Sequence, residues 1–140
     1  MGEDMTEPSL DLQKALRARL VASSAVTSLV PATAILDRNA RPAPDPSIII
    51  GEGQTLPDDG IARNRHEVFA DLHVWKTEAG LSGCKLIVGA IRDALADGFW
   101  TFDHFHVVDM MIAGTRFLRD PDGQHSHGVM TIRARVQEIA

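Results

Sequence analysis

One cysteine, no tyrosine and 5% aromatic residues leave this 140-residue chain with little for cross-linking, stacking or thiol chemistry. The lone Cys84 excludes an intrachain disulfide and any cysteine-based zinc cluster. It falls among apolar residues at helical spacing, where a free thiol behaves as a small hydrophobe. Positive charge is also short. Fourteen Lys and Arg against nineteen Asp and Glu give a net charge of −5, the reverse of the basic footprint of a dedicated nucleic-acid binder. No apolar run reaches the roughly 18 residues that cross a bilayer, and the acidic N-terminus has no signal-peptide order. No Gly-x-Ser-x-Gly elbow and no Gly-rich loop ending in Lys-Ser/Thr occurs, so a hydrolase nucleophile turn and a P-loop are both excluded. What remains is a protein expected to be made in a reducing cytoplasm and to work there, or in something assembled there.

The 44% apolar and 24% charged composition is that of an ordinary globular domain, long enough for one real core. Its dominant stretch runs from His104 to Val136 and reads as one long β-hairpin folded at Arg119-Asp120-Pro121-Asp122-Gly123. Asp bonds its own backbone, Pro presets φ, and Gly accepts the positive φ of the reversal. With Arg119 opposite Gln124, Val107, Met111, Ala113 and Phe117 share a core face with Met130, Ile132, Ala134 and Val136. The other face carries His106, Arg116, His125, His127, Arg133 and Arg135 beside Val108, Ile112 and Val129. Asp109 lands on the core face in this register, which calls for a bulge, with Gly114 as a candidate place. Strands of about 12 residues exceed the usual 5 to 6, so the hairpin is expected to project or to pair with another chain.

The rest of the chain orders itself around it. Residues 1–8 read as a flexible N-terminus and 9–140 as a single domain. Ser9 is the expected N-cap of a helix over Leu10 to Val21, with Leu12, Ala15, Leu16 and Leu20 on one stripe. A short second helix carries Val26, Leu29 and Val30 and stops at Pro31. Ile35-Leu36-Asp37-Arg38 reads as a short extended piece, the Arg41-Pro42-Ala43-Pro44-Asp45-Pro46 run cannot be helical, and Ile48-Ile49-Ile50 reads as a buried strand. Residues 51–65, with Gly53, Pro57, Asp58, Asp59 and Gly60, read as a mobile loop. His66 to Trp75 alternates, Val68, Ala70, Leu72 and Val74 facing the core. Leu81, Cys84, Ile87, Val88, Ile91 and Leu95 form the clearest helical stripe. The predicted class is α+β: a roughly four-stranded, mostly antiparallel sheet with a long C-terminal hairpin, covered by an N-terminal helix and one central amphipathic helix.

Candidate chemistry is thin. His104-x-His106 and His125-x-His127 each place two imidazoles on one strand face, a spacing metal sites use. In a straight hairpin the pairs lie roughly 45 Å apart at about 3.3 Å per residue, and two imidazoles alone make a poor site. They read as solvated or capping histidines, with a metal at a subunit interface as the sharper alternative. Trp75 and Trp100 either anchor the core edge or line a ligand pocket. The Asp58-Asp59 and Asp120/Asp122 pairs are turn chemistry before they are acid catalysts. No catalytic residue, cofactor site or metal site follows from these patterns.

Several segments together resemble the tail-completion, or tail-terminator, proteins of long-tailed phages and gene transfer agents. The carriers are Leu12-x3-Leu16-x3-Leu20, Ile35-Leu36-Asp37, the proline-rich approach to Ile48-Ile49-Ile50-Gly51, His73-Val74-Trp75, the Lys85 to Leu95 helix, and Arg119-Asp120-Pro121-Asp122-Gly123 followed by His127-Gly128-Val129. The resemblance spans Leu10 to Val136; the segment from Gly51 to Arg65 departs from the pattern. It implies a structural protein, not an enzyme: a homo-oligomeric ring, of hexameric type, that caps the finished tail tube and joins it to the head connector or stopper. It implies no cofactor and no membrane. It also implies bacterial cytoplasm during assembly and the head–tail junction of the virion afterwards. DNA would pass through such a ring without sequence-specific binding. Contacts with neighbouring subunits or partners are expected at Arg116, Arg119, Asp120, Asp122, Arg133 and Arg135 of the hairpin. Gly53, Asp58, Asp59, Arg63 and Arg65 are the expected contacts of the 51–65 segment. Two rival readings stay open at this level: a small metal-dependent enzyme using the His-x-His pairs, and a dimeric small-molecule-binding module with Trp75 and Trp100 in its pocket.

Overall fold

Pro8 starts the first helix, α1 (Pro8–Ala22), at the position where a missing N–H costs nothing. The computed structural model describes residues 7–40, 42–96 and 98–139. The N-cap is Glu7, whose carboxylate accepts from the Ser9 N–H at 2.7 Å and from the Thr55 hydroxyl at 2.8 Å. Ser9 therefore sits inside the first turn instead of capping it. Of the N-terminal segment expected to be flexible, residues 1–6 lie outside the described residues, and Glu7 and Pro8 belong to the helix start.

Leu12, Leu16 and Leu20 recur every fourth residue and are fully buried, each contributing about 1.5–3 kcal/mol by leaving water. A single helical turn, α2 (Ser24–Thr27), follows, capped by the Ser23 side chain. Residues 32–34 make one 3-10 turn into β1 (Ile35–Leu36). Then come β2 (Ser47–Pro57), β3 (Arg65–Thr77), α3 (Ser82–Leu95), β4 (Phe105–Arg119) and β5 (His125–Glu138).

Among the described residues the sheet has five strands in the order β1-β2-β3-β5-β4, with β1 parallel to β2 and every other pair antiparallel. The α+β class holds; the extra strand is the two-residue β1, too short to leave a periodicity in sequence. The helices pack on one face. α1 lies against β1, β2 and β3, while α3 lies against β3, β5 and β4. Between them sit Val68, Leu72 and Val74 of β3 and Met130, Ile132, Ala134 and Val136 of β5, all buried.

Two expectations change. Residues 51–65 are not one loop: β2 continues to Pro57 and β3 begins at Arg65, leaving a turn over 58–64. The polar, glycine-rich stretch 51–57 is a strand because its ladder to β3 supplies the backbone bonds that its side chains do not signal. The C-terminal hairpin does not project. β5 pairs along its whole length with β3, which places it inside the sheet and makes β4 the outer edge.

The hairpin register also differs. Arg119 lies opposite Ser126, and Asp120 N–H donates to the His125 carbonyl at 2.9 Å. A shift of two keeps every β5 residue on its expected face. On β4, one-residue slips between Val107 and Asp109 and between Ile112 and Gly114 reset the alternation. Met110 and Ile112 therefore pack against the core in place of Met111 and Ala113, and Asp109 is exposed. The bulge inferred from Asp109 exists near Gly114, with a second one beside Asp109 itself.

Candidate functional site: the open sheet face and its edge

Alternation puts Glu67, Phe69, Asp71, His73 and Trp75 of β3 on the face away from the helices, beside His127, Thr131, Arg133 and Arg135 of β5. This face is polar and satisfied largely within itself. Thr131 donates its hydroxyl proton to Asp71 at 2.6 Å, and Arg133 pairs with Glu67. Arg135 grips Asp58 through Nε at 3.2 Å and Nη2 at 3.3 Å, the bidentate geometry of a strong ion pair. The Arg135 guanidinium holds the Asp58 carboxyl below its usual range, helped by the Asp59 N–H. The turn over 58–64 is thus tied back to β5.

His73 is the centre of the face. Its Nδ1 lies 2.8 Å from Nε2 of His127, and its Nε2 lies 2.5 Å from a Glu52 carboxylate oxygen. His127 stacks on Trp75 with ring centroids 3.7 Å apart. Burial, then the neighbouring His73 and Arg116, push the His127 imidazole below its ordinary pKa, so the ring favours its neutral form. Glu52 reaches this face because β2 slips register between Ile50 and Gly53, so that Gly51 and Glu52 together face Asp71. Its own backbone N–H and the His73 ring hold the Glu52 carboxyl low.

Four of the six histidines stand against a carboxylate: His66 on Glu138, His73 on Glu52, His104 on Asp11 and His125 on Asp122. The sequence showed no carboxylate partners because three of the four, Glu52, Glu138 and Asp11, lie far from their histidines in the chain. The His-x-His pairs do not act jointly. His104 bonds Asp11 while His106 is exposed; His125 sits at the hairpin tip while His127 joins His73. Trp75 and Trp100 are likewise apart, Trp100 lying beneath the Arg19 guanidinium at 3.7 Å.

The hairpin tip is built by its acids. One Asp122 oxygen accepts from the Gln124 and His125 N–H groups at 2.8 and 3.2 Å, and the other meets His125 Nδ1 at 2.7 Å. The Gln124 N–H and then His125 hold this carboxyl low. Arg119 donates to the Ala79 carbonyl at 3.3 Å, Arg65 donates to Gln137 at 3.3 Å, and Arg63 takes the left-handed conformation at φ 58°. Gly53 lies where an added Cβ would come within 3.1 Å of the Phe69 carbonyl. Of the residues expected to make contacts, Arg116, Arg119, Asp120 and Asp122 group along β4 and its tip. Asp58, Asp59, Arg63 and Arg65 gather at the other hairpin's turn, at the opposite end of the sheet. Arg133 and Arg135 are engaged within the fold.

Among the described residues β4 is the longer of the two open strand edges, the other being β2 beyond its two-residue pairing with β1. It ends the sheet, so the outward backbone groups of a 15-residue strand pair with no other strand, while Val108, Met111 and Leu118 are exposed. Such an edge templates pairing unless it is covered. Cys84 is buried, and burial pushes its thiol above its ordinary pKa, which disfavours the thiolate. Among the described residues no helix is long and apolar enough to cross a membrane.

A helix-backed sheet with a polar open face, two acid-built turns and a long open edge defines a small α+β domain built on one mixed sheet. The family comparison makes this specific: the chain belongs to the family of tail completion protein gp17, whose model matches residues 14–137. Its role is structural, in tail completion. No curated protein matches. Among solved structures, the fold is shared with a chain of the virion of a native gene transfer agent particle, at TM-score 0.80 and 20% identity, covering 90% of this chain and 94% of that one. It is also shared with gp17 of bacteriophage SPP1, at TM-score 0.61 and 21% identity, covering 100% and 97%.

Proposed function

We propose that this protein forms a homo-oligomeric ring that caps the tail tube at its final length and joins it to the head connector. It would assemble in the bacterial cytoplasm and remain at the head–tail junction. The ring needs identical head-to-tail contacts closed by rotation, and the observation that carries this reading is the unpaired β4 edge with Val108, Met111 and Leu118 exposed along it. Strand addition or side-by-side packing there supplies one half of a heterologous contact. Arg116, Arg119, Asp120 and Asp122 flank that edge. Gly53, Asp58, Asp59, Arg63 and Arg65 supply a surface at the sheet's other end, and Arg133 and Arg135 support both from the open face. The net charge of −5 suits a lumen through which DNA passes without sticking. The role is mechanical and calls for no catalytic group or cofactor.

The test is Val108→Lys, which adds charge to the exposed edge at a side chain 59% open to solvent. Wild-type protein is expected to form a closed ring with tail tubes and to support joined particles in electron micrographs. The variant is expected to fold with an unchanged melting temperature yet leave heads and tails separate. Joining by the variant at the wild-type level would overturn the assignment of β4 as the ring contact. Wild-type protein that stays monomeric with tail tubes present would overturn the ring itself.

A further inference from the structure

We propose that the open sheet face carries a divalent transition-metal site formed by Nε2 of His73 and the carboxylates of Glu52 and Asp71. One ligand atom from each of these residues lies within 4.8 Å of the other two. A first-row metal held at about 2.0–2.2 Å by nitrogen and oxygen needs its ligand atoms roughly 3–3.5 Å apart. Glu52, with a side chain 69% exposed, has the freedom to make that adjustment. One imidazole with two carboxylates suits Zn²⁺, Co²⁺, Ni²⁺ or Mn²⁺ better than Mg²⁺ or Ca²⁺, which favour all-oxygen shells.

The surroundings support the cluster as a built site. The β2 register slip between Ile50 and Gly53 is what swings Glu52 onto the same face as Asp71 and His73. At Gly51 an added Cβ would come within 2.7 Å of His73 Cδ2 and 2.9 Å of its Nε2, so the bare glycine backbone is the bed on which the ring lies. Behind the ring, His127 Nε2 stands 2.8 Å from His73 Nδ1, and His127 is itself fixed against Trp75. With metal on Nε2, His73 donates its Nδ1–H to His127, the outer-shell arrangement that orients ligating histidines. Thr131 fixes one oxygen of Asp71 and leaves the other for the metal. A groove of about 490 Å³ bordered by Glu52, His73 and His127 gives an ion access from solvent and room for a water on the remaining position.

The site differs from both His-x-His readings, since it takes one histidine of β3 and reaches a carboxylate the sequence had hidden in an apparent loop. The bound ion would tie the irregular part of β2 to the centre of the sheet.

The experiment is a calorimetric titration of Zn²⁺ into the full, untagged, EDTA-stripped chain, with Co²⁺ absorption and the ¹⁵N shifts of His73 as independent readouts. One equivalent is expected to bind and to move the His73 Nε2 resonance, with the proton on Nδ1 in the metal-bound form. Glu52→Gln and His73→Ala are each expected to weaken binding at least tenfold. Gly51→Ala, which pushes the His73 ring off its place, should weaken binding as well. His125→Ala, at the hairpin tip beside Asp120 and Asp122, should bind as the wild type does. Absence of saturable binding, or binding that survives Glu52→Gln or His73→Ala, or binding lost in His125→Ala, would overturn the proposal.

Discussion

Glu78 offers the sharpest test of how the long hairpin is coupled to the helix layer. One of its carboxylate oxygens accepts from the Gly83 N–H at 2.9 Å, and the other from the Cys84 N–H at 2.8 Å and the Ser126 hydroxyl at 2.6 Å. Leu81, the residue at the N-cap of α3, makes no capping bond of its own, so Glu78 performs that task from outside the helix and links it to β5. Glu78→Ala leaves two partly buried N–H groups unsatisfied. A lost cap costs about 1 kcal/mol, and each orphaned donor about 1–3 kcal/mol, part of which water recovers. Ser126 can turn its hydroxyl proton to the Lys76 carbonyl, 3.3 Å away. A net loss of about 2–3 kcal/mol follows, seen as a drop in melting temperature of roughly 5–10 °C for a chain of this size. Glu78→Gln keeps an accepting oxygen but loses the charge, and should cost about half as much.

The pH dependence gives a second reading of the same contacts. Burial raises the Glu78 pKa, but the bonds from Ser126, Gly83 and Cys84 and the nearby Lys76 outweigh it and hold the carboxyl below its usual value. A depressed folded-state pKa adds stability that is fully present above the unfolded value of about 4.3 and fades as pH falls through the folded value. The gap between wild type and Glu78→Gln, measured by urea denaturation, should therefore be constant near neutrality and shrink below about pH 4. A Glu78→Ala protein within about 0.5 kcal/mol of wild type at pH 7, or a gap that widens on acidification, would refute this account of the cap.

Gly128→Ala should destabilise by about 1–3 kcal/mol, because the new Cβ would stand 2.7 Å from Cys84 Sγ and 3.2 Å from Val88 Cγ2. Adding Cys84→Ala should recover much of that loss, and a double-mutant cycle in denaturant reads the coupling directly. Asp11→Ala should cost about 2 kcal/mol in thermal unfolding, since the carboxylate is 3% exposed and accepts from the His104 backbone N–H at 2.9 Å.

Periodicity alone determined much of this protein. The every-fourth leucines of α1, the Cys84 to Leu95 stripe of α3 and the even-numbered residues of β3 and β5 all bury as their spacing demands, because each lies on an element whose one apolar face has one place to go. The Asp120 to Gly123 turn was legible for the same local reason: its hydrogen bonds are made within five residues. What the local pattern could not carry was anything decided between elements. The extension of β2 to Pro57, the place of β5 inside the sheet and the three register slips depend on ladders to other strands, and a one-residue slip leaves composition untouched while moving Met110 inward and Asp109 out. The histidines show the consequence most clearly. Their spacing suggested pairs along a strand, yet tertiary structure joined His73 to Glu52 across a bulge and His104 to Asp11 across 93 residues. A carboxylate finds its imidazole by position in the folded sheet, and that position is a sum of ladder registers that no single stretch of sequence contains.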